Sequence, residues 1–393
     1  MEFESAAKAA ERLGVTVRAV QKWAKDGKLP GAKQLGRSWM IPADAQIPAS
    51  GVQAQEDIAP ARSYTPFPLL NTSFAPGHAL EAAMAIEDED ERAIALGEYY
   101  YFTGQVELTA RAAEPYLEHD DSNVALSANL MYVFSNVSID EMDLVRQGLD
   151  RIRRRATAVI AKESDPVARA NAILFGTAAS VLLRVPNTDV TPLKKVLSVL
   201  PRALQFFGCY ILSHAAYLNQ EYDHSRGIAE IALALGGDAY PLASNYLRTM
   251  LCIDLMCLRR TEEAKQCFDR LWSTVWPDGG IEVIGEHHLL MLGLPEICLK
   301  RQEPEQYKQL IAVTKRFGVS WKKAHHHSTG RSIADGLSLM EYTIATMYNR
   351  GWAVKEIALH MELSERMIKH HIAMIYEKLG ISSREELRRL TQI

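Results

Sequence analysis

The chain has 393 residues, 48% of them hydrophobic and 23% charged, with a formal net charge of −4. That length exceeds one ordinary core, so two or three globular domains are expected and a disordered or fibrous chain is excluded. The start lacks a secretory pattern, no apolar run approaches the roughly 20 residues that cross a bilayer, and five cysteines occur without a C-x-x-C pair, so buried thiols and a cytoplasmic location are expected, with no membrane partner.

The charge is uneven. Residues 1–48 carry eight Lys/Arg against five Asp/Glu, and residues 321–393 carry eleven against eight, which leaves −10 on the stretch between. Mildly basic ends around an acidic centre suit nucleic-acid contact at the termini.

Residues 1–48 predict a small winged unit. A first helix, Ala6–Leu13, ends at Gly14; Thr16 caps a second, Val17–Lys25, which stops at Gly27. Val17, Val20 and Ala24 point inward with Trp23 beside them, while Arg18, Gln21, Lys22 and Lys25 share the outer face. A hairpin is expected over Lys33–Pro42, its tip at Gly36 flanked by Lys33 and Arg37, with Trp39 and Ile41 alternating behind. From Ala9 to Pro42, "AAERLGVTVRAVQKWAKDGKLPGAKQLGRSWMIP" resembles the excisionase or MerR-like helix-turn-helix family. The resemblance implies DNA binding by Arg18, Gln21, Lys22 and Lys25 in the major groove and by Lys33 and Arg37 on the wing. Metal- and drug-sensing MerR proteins have a long dimerising helix after the wing, and the Pro-containing segment here does not supply one.

Residues 49–78 contain Pro60, Pro66, Pro68 and Pro76 without a sustained period, and read as an extended linker that can lie on a neighbouring surface. From 79 to 321 the pattern is helical, with turns near Gly104, Gln220, Thr261 and Gln302 and weaker ones near Ser138 and Asn187. The separations are mostly 33–42 residues, with one step of 49. Paired helices at that period stack because neither member can bury its apolar face alone. The stretch resembles a tetratricopeptide-repeat array, with an irregular helical bundle as the alternative; the resemblance implies an effector that is a protein, peptide or small molecule. The "RIRRR" run, Arg151–Arg155, reads as a solvated or ion-paired helix face. His325–His327 fall in an expected connecting loop, 322–336, and His214, His287 and His288 read as structural.

Residues 337–393 predict four helices. Ser338 and Glu341 form a capping box, and Gly351 stops the first helix. A short helix from Val354 turns at Ser364, the N-cap of a third helix that ends at Gly380; Ser383 and Glu386 open a fourth. On the third helix Ile368, Ile372, Ile375 and Leu379 recur at i, i+4, i+7, i+11 as a core stripe. Arg366, Lys369, His370 and Ala373 lie opposite, and Tyr376 continues that side. One small residue on a cationic face lets a helix sit deep in a major groove.

Gly351, Lys355-Glu356-Ile357-Ala358, Ser364, Ile368-Lys369, His371, Ile375, Lys378-Leu379-Gly380 and Arg384–Leu387 are similar to the signature of LuxR-type (GerE-like) DNA-binding domains. The resemblance implies sequence-specific binding of double-stranded DNA through Arg366, Lys369, His370, Ala373, Lys355, Tyr376 and Lys378, and homodimerisation. Ala353, Met367, His370 and Met340 depart from the family's usual residues.

No G-x-x-x-x-G-K-[ST], G-x-S-x-G, H-E-x-x-H or G-x-G-x-x-G occurs, so neither catalysis nor a metal or cofactor site is expected. The fold expected is mainly α: two terminal helix-turn-helix domains, the first with a small β wing, flanking an α-helical repeat. The function expected is transcriptional regulation in a bacterium, the middle sensing or docking a partner. A protein-interaction scaffold and an excisionase-like DNA-architectural factor are the alternatives.

Overall fold

A computed structural model describes residues 3–13, 15–35, 38–45, 64–185, 187–329 and 336–390. The chain divides into two compact units, Met1–Ser63 and Tyr64–Ile393.

In the first unit, β1 (Phe3–Ser5) leads into α1 (Ala6–Leu13) and α2 (Val17–Lys25), followed by β2 (Lys33–Leu35) and β3 (Ser38–Pro42). The antiparallel sheet has the order β1-β3-β2, with Glu4 opposite Ile41 and Gln34 opposite Trp39. The small side chains Ala6, Ala9 and Ala10 let α1 pack closely over Val20, Ala24, Leu29 and Ile41. Thr16 caps α2 by accepting from the Ala19 amide at 3.3 Å. Gly27, at φ +69, lets the Lys28 amide reach back to the Trp23 carbonyl at 2.8 Å and ends the helix. One expectation changes here and one element is added. Val17 is 40% exposed, because the first turn of α2 overshoots so small a core. β1 was hidden from a periodicity reading by being three residues long.

The second unit opens with α3 (Ala79–Met84) and then runs in pairs. These are α4 (Glu89–Phe102) with α5 (Val106–Ala113), α6 (Ser122–Ile139) with α7 (Met142–Lys162), and α8 (Pro166–Leu182) with α9 (Thr191–Val196). Next come α10 (Arg202–Leu218) with α11 (Tyr222–Ala234), and α12 (Pro241–Cys257) with α13 (Thr261–Val275). Partners pack on each other, and the first members, α4, α6, α8, α10 and α12, also pack as a series.

Composition separates the two layers. α7 buries Val145, Gly148, Ile152 and Ala156 alone, one stripe of an amphipathic outer helix. α6 is buried without a break from Val124 to Ser138, as an inner helix covered on every side is, and its buried Asn129, Ser135 and Asn136 donate to backbone carbonyls. Gly148 permits the contact between them: a Cβ there would lie 2.6 Å from Val133 Cγ2. The turns recur with one geometry. Gly104, Asp140, Gln220 and Arg259 have φ of +73, +73, +64 and +62. The amide after each returns to a carbonyl five residues back, as in Gln105 to Tyr100 at 2.8 Å and Glu221 to Ala216 at 3.0 Å.

The inner series is then covered. α14 (Glu282–Gly285), α15 (Leu294–Leu299) and α16 (Pro304–Thr329) come next, and α16 packs back on α6. α16 is helical through Thr329, over much of the stretch expected as a loop, because no glycine or proline interrupts residues 319–329. Residues 330–335 and the side chains of His325–His327 lie outside the described ones. The expected linker is likewise ordered from Tyr64: Phe67, Leu69 and Leu70 are buried, since this apolar cluster finds a place in the array.

The chain ends in α17 (Leu339–Asn349), α18 (Val354–His360), α19 (Glu365–Leu379) and α20 (Arg384–Leu390), whose buried side chains belong to the same hydrophobic core as the array. At that junction Arg350 donates to the Tyr217 hydroxyl at 2.7 Å and to the Cys257 thiol, its guanidinium lying about 5.5 Å from the rings of Tyr217 and Tyr222. His360 Nε2 bonds the Leu292 carbonyl at 2.9 Å. All five cysteines are free; Cys252 and Cys298 are buried and the other three partly so. Among the described residues no helix is long and apolar enough to cross a membrane.

Candidate nucleic-acid interface

Capping fixes the start of each C-terminal helix. Ser338 and Glu341 exchange both bonds of a capping box, at 3.3 and 2.7 Å, and so set α17. Ala353 offers α18 no side-chain cap, but Glu356 still accepts the Ala353 amide at 2.6 Å. Ser364 Oγ accepts the Met367 amide at 3.2 Å and starts α19. Gly380, at φ +65, ends it. Before α20, Ser383 Oγ accepts the Glu386 amide at 3.2 Å, while Glu386 takes the amide of Ser382, one residue outside the expected box.

α19 sits on the core by Ile368 and Ile375, both buried, with Ile372 and Leu379 half-buried at the edges of the stripe. Arg366, Lys369, His370 and Ala373 are exposed on the opposite side, and Lys355 is exposed on α18. Two residues assigned to this face by sequence do other work. Lys378 Nζ bonds Glu341 Oε2 at 2.7 Å, tying the end of α19 to the cap of α17. Tyr376 is half-buried, and burial, with Tyr348 beside it, raises its phenol to about 12.

The array alters the electrostatics of this face in a way that sequence spacing could not reveal. Arg259 Nη1 lies 3.3 Å from Glu356, and Arg301 Nη1 lies 2.9 Å from Glu362. These carboxylates stand on α18 and in the turn before α19, so arginines from the array offset two negative charges of the helix-turn-helix, while Glu365 and Glu377 stand exposed on α19 itself. Arg259, Glu356 and Glu362 are about half-exposed and Arg301 is 77% exposed, so the pairs are worth about 0–1 kcal/mol in stability; their main effect is to cancel two carboxylate charges locally.

In the first unit Arg18, Gln21, Lys22 and Lys25 are all exposed along α2, and Lys28 extends the row just past its end. Lys33 is exposed on β2 with its Nζ 5.4 Å from the centre of the Phe3 ring. Arg37 and Gly36 lie outside the described residues. Arg12 reaches Glu4 at 2.7 Å and the Ala45 carbonyl at 2.9 Å, and braces α1 against β1 and the turn after β3.

The Arg151–Arg155 run and the histidines of the array singled out by sequence make contacts within the array. Arg151 meets Glu118 at 3.2 Å, Arg153 meets Asp150 at 3.6 Å, and Arg155 donates to the His119 carbonyl at 2.9 Å. His214, His287 and His288 are buried, with His287 bonded to Tyr210 at 3.1 Å. Among the described residues no group of three His, Cys, Asp or Glu is placed to hold a metal ion.

Residues 5–45 match the family model of a helix-turn-helix domain, and residues 335–391 match that of bacterial regulatory proteins, luxR family. Neither the curated proteins nor the solved structures gave a match.

Proposed function

We propose, from the two helix-turn-helix domains that the chain carries, that it is a sequence-specific transcription regulator in which both read DNA and the helical middle senses or docks a partner. The observation that carries this reading is the α19 surface: Arg366, Lys369 and His370 stand exposed around Ala373, while Glu356 on α18 and Glu362 in the turn before α19 pair with arginines of the array. A helix presenting cations beside one small residue enters a major groove with Arg366, Lys369 and His370 toward phosphates and base edges. Lys355 reaches the backbone from α18, while Lys378 and Tyr376 act first by holding α19 in place.

In the N-terminal unit α2 takes the corresponding role, through Arg18, Gln21, Lys22 and Lys25, with Lys33 and Arg37 on the wing. Two readers on one chain raise each other's effective concentration, so modest separate affinities suffice. Supporting the middle's role as a tetratricopeptide-type docking array are the paired helices and their continuous inner layer.

The deciding experiment is a fluorescence-anisotropy titration on duplexes recovered by genome-wide mapping of bound DNA. Lys369→Ala is expected to weaken binding across sequences and to flatten the salt dependence by about one ion. An unchanged affinity and slope would refute the role given to α19. Arg18→Ala in the full chain tests the other end: its salt slope is also expected to fall by about one, and no change removes α2 from the interface.

A further inference from the structure

The inner layer of the array is not bare. Pro66, Phe67, Pro68, Leu69 and Leu70 are inserted against it as a short turn, all five buried. The Asn71 amide bonds the Phe67 carbonyl and the Thr72 amide the Leu69 carbonyl, each at 3.0 Å. The Phe67 ring lies 5.0 Å from Phe175 on α8 and 6.1 Å from Phe207 on α10, centre to centre.

Backbone donors decide what fits here. Pro66 and Pro68 have no amide hydrogen, so five buried residues bring only three donors. Each has an acceptor on an inner helix: Phe67 on Ser127 Oγ at 3.1 Å, and Leu69 and Leu70 on the two oxygens of Glu98 at 2.9 and 3.0 Å. Glu98 is 2% exposed, and its donors among the described residues are those two amides, without which its carboxyl would be buried unsatisfied, a costly arrangement. Phe67 also holds φ at +48, a conformation rare for an L residue and imposed by the surroundings. Past the turn, the amides of Gly77 and Ala79 both donate to Asp278 at 2.8 Å, a second clasp on the same strap. A buried carboxyl group aimed at two successive amides, a hydroxyl at a third, and two aromatic rings around a phenyl group make a surface shaped to hold a peptide turn.

We propose that this inner wall is a peptide-receiving site, that residues 66–70 are its built-in occupant, and that a protein partner presenting a Pro-aromatic-Pro-Leu-Leu turn exchanges with it. This deepens the docking role given to the middle and is independent of DNA binding by either end. A tethered occupant acts at the high effective concentration of an intramolecular ligand, so the partner's segment competes only when abundant or better fitted. The occupant lies close in sequence to the connection from the N-terminal unit, so exchange would also lengthen that connection.

The test uses the full chain and a fluorescein-labelled peptide of sequence YTPFPLLNT, with a scrambled peptide as control. The double variant Phe67→Ala, Leu70→Ala, confirmed helical by circular dichroism, is expected to bind the peptide at least tenfold more tightly than the natural chain does. Adding Glu98→Gln is expected to weaken that binding at least tenfold. A folded double variant that ignores the peptide, or takes the scrambled one equally, overturns the proposal. Should the double variant fail to fold, hydrogen exchange on the natural chain decides. The amides of Phe67, Leu69 and Leu70 are expected to exchange faster than those of α6, and faster still with excess peptide; exchange only together with α6 overturns it. DNA affinity of the same samples, measured separately, leaves a failure of the regulator reading distinguishable.

Discussion

At the scale of single residues, the array buries acids that an ordinary pH keeps charged elsewhere. Burial pushes the carboxyls of Glu98, Glu286 and Asp254 up to about 8, and that of Glu282 to about 7 despite Arg316 at 3.1 Å. A carboxyl whose folded pKa exceeds its unfolded one binds protons more readily when folded, so its stabilising share is complete at low pH and is lost as pH rises through the folded value. His287, lowered by burial to about 4, and His214, lowered likewise, oppose this trend only below the ordinary histidine range near 6.5. Stability is therefore expected to fall between pH 6.5 and 8, each acid contributing up to about 1.4 kcal/mol per pH unit. Urea unfolding at several pH values checks it, and Glu98→Gln isolates one carboxyl by flattening the slope. A variant as pH-sensitive as the natural chain would show that Glu98 stays charged.

At the scale of elements, the repeated turn links sequence to architecture. Gly104 meets the turn's left-handed backbone without strain, and a Cβ there would also lie 3.2 Å from Glu282 Oε2, so Gly104→Ala is expected to cost more than about 1 kcal/mol. Gln220 adopts the same φ region with a full side chain, and Gln220→Gly is expected to cost nothing or to stabilise slightly. Thermal unfolding of the pair reads the contrast, and equal effects would place the strain elsewhere. These turns were legible from sequence because each interrupts an apolar period with polar residues or glycine. The helix ends at Ser338, Gly351, Ser364 and Gly380, and the exposed face of α19, were legible for the same local reason. The turn of residues 66–70 was not: prolines erase periodicity, and its acceptors Glu98 and Ser127 lie about 30 and 60 residues away. Nor could spacing reveal that Lys378 would meet Glu341, or that Arg259 would meet Glu356, since both pairs depend on how the helices fold together.

At the scale of the molecule, the two units differ in how they are held. Among the described residues, Met1–Ser63 has a core of eight buried apolar side chains, five of them alanines, whereas the array and the C-terminal helices share one continuous core. Calorimetry is expected to resolve two unfolding transitions, a small one for the first unit and a larger cooperative one for everything after Tyr64. Arg350→Ala removes the guanidinium bonded to Tyr217 and Cys257, and is expected to lower the larger transition while leaving the smaller one in place. Separate melting of array and C-terminal helices in the natural chain would contradict a shared core.

That common core makes the C-terminal helix-turn-helix a poor interchangeable cassette. Trp352 and Met361 are 5% and 8% exposed; Arg259 of the array lies 5.8 Å from the Trp352 ring centre and Gly293 lies against Met361, and a graft of these four helices onto another protein would lose both contacts and leave an uncaged arginine. Swapping this module between chains would therefore have to carry Tyr217, Tyr222 and Cys257 along, so recombination at the boundary is expected to yield misfolded hybrids unless the seam is moved upstream.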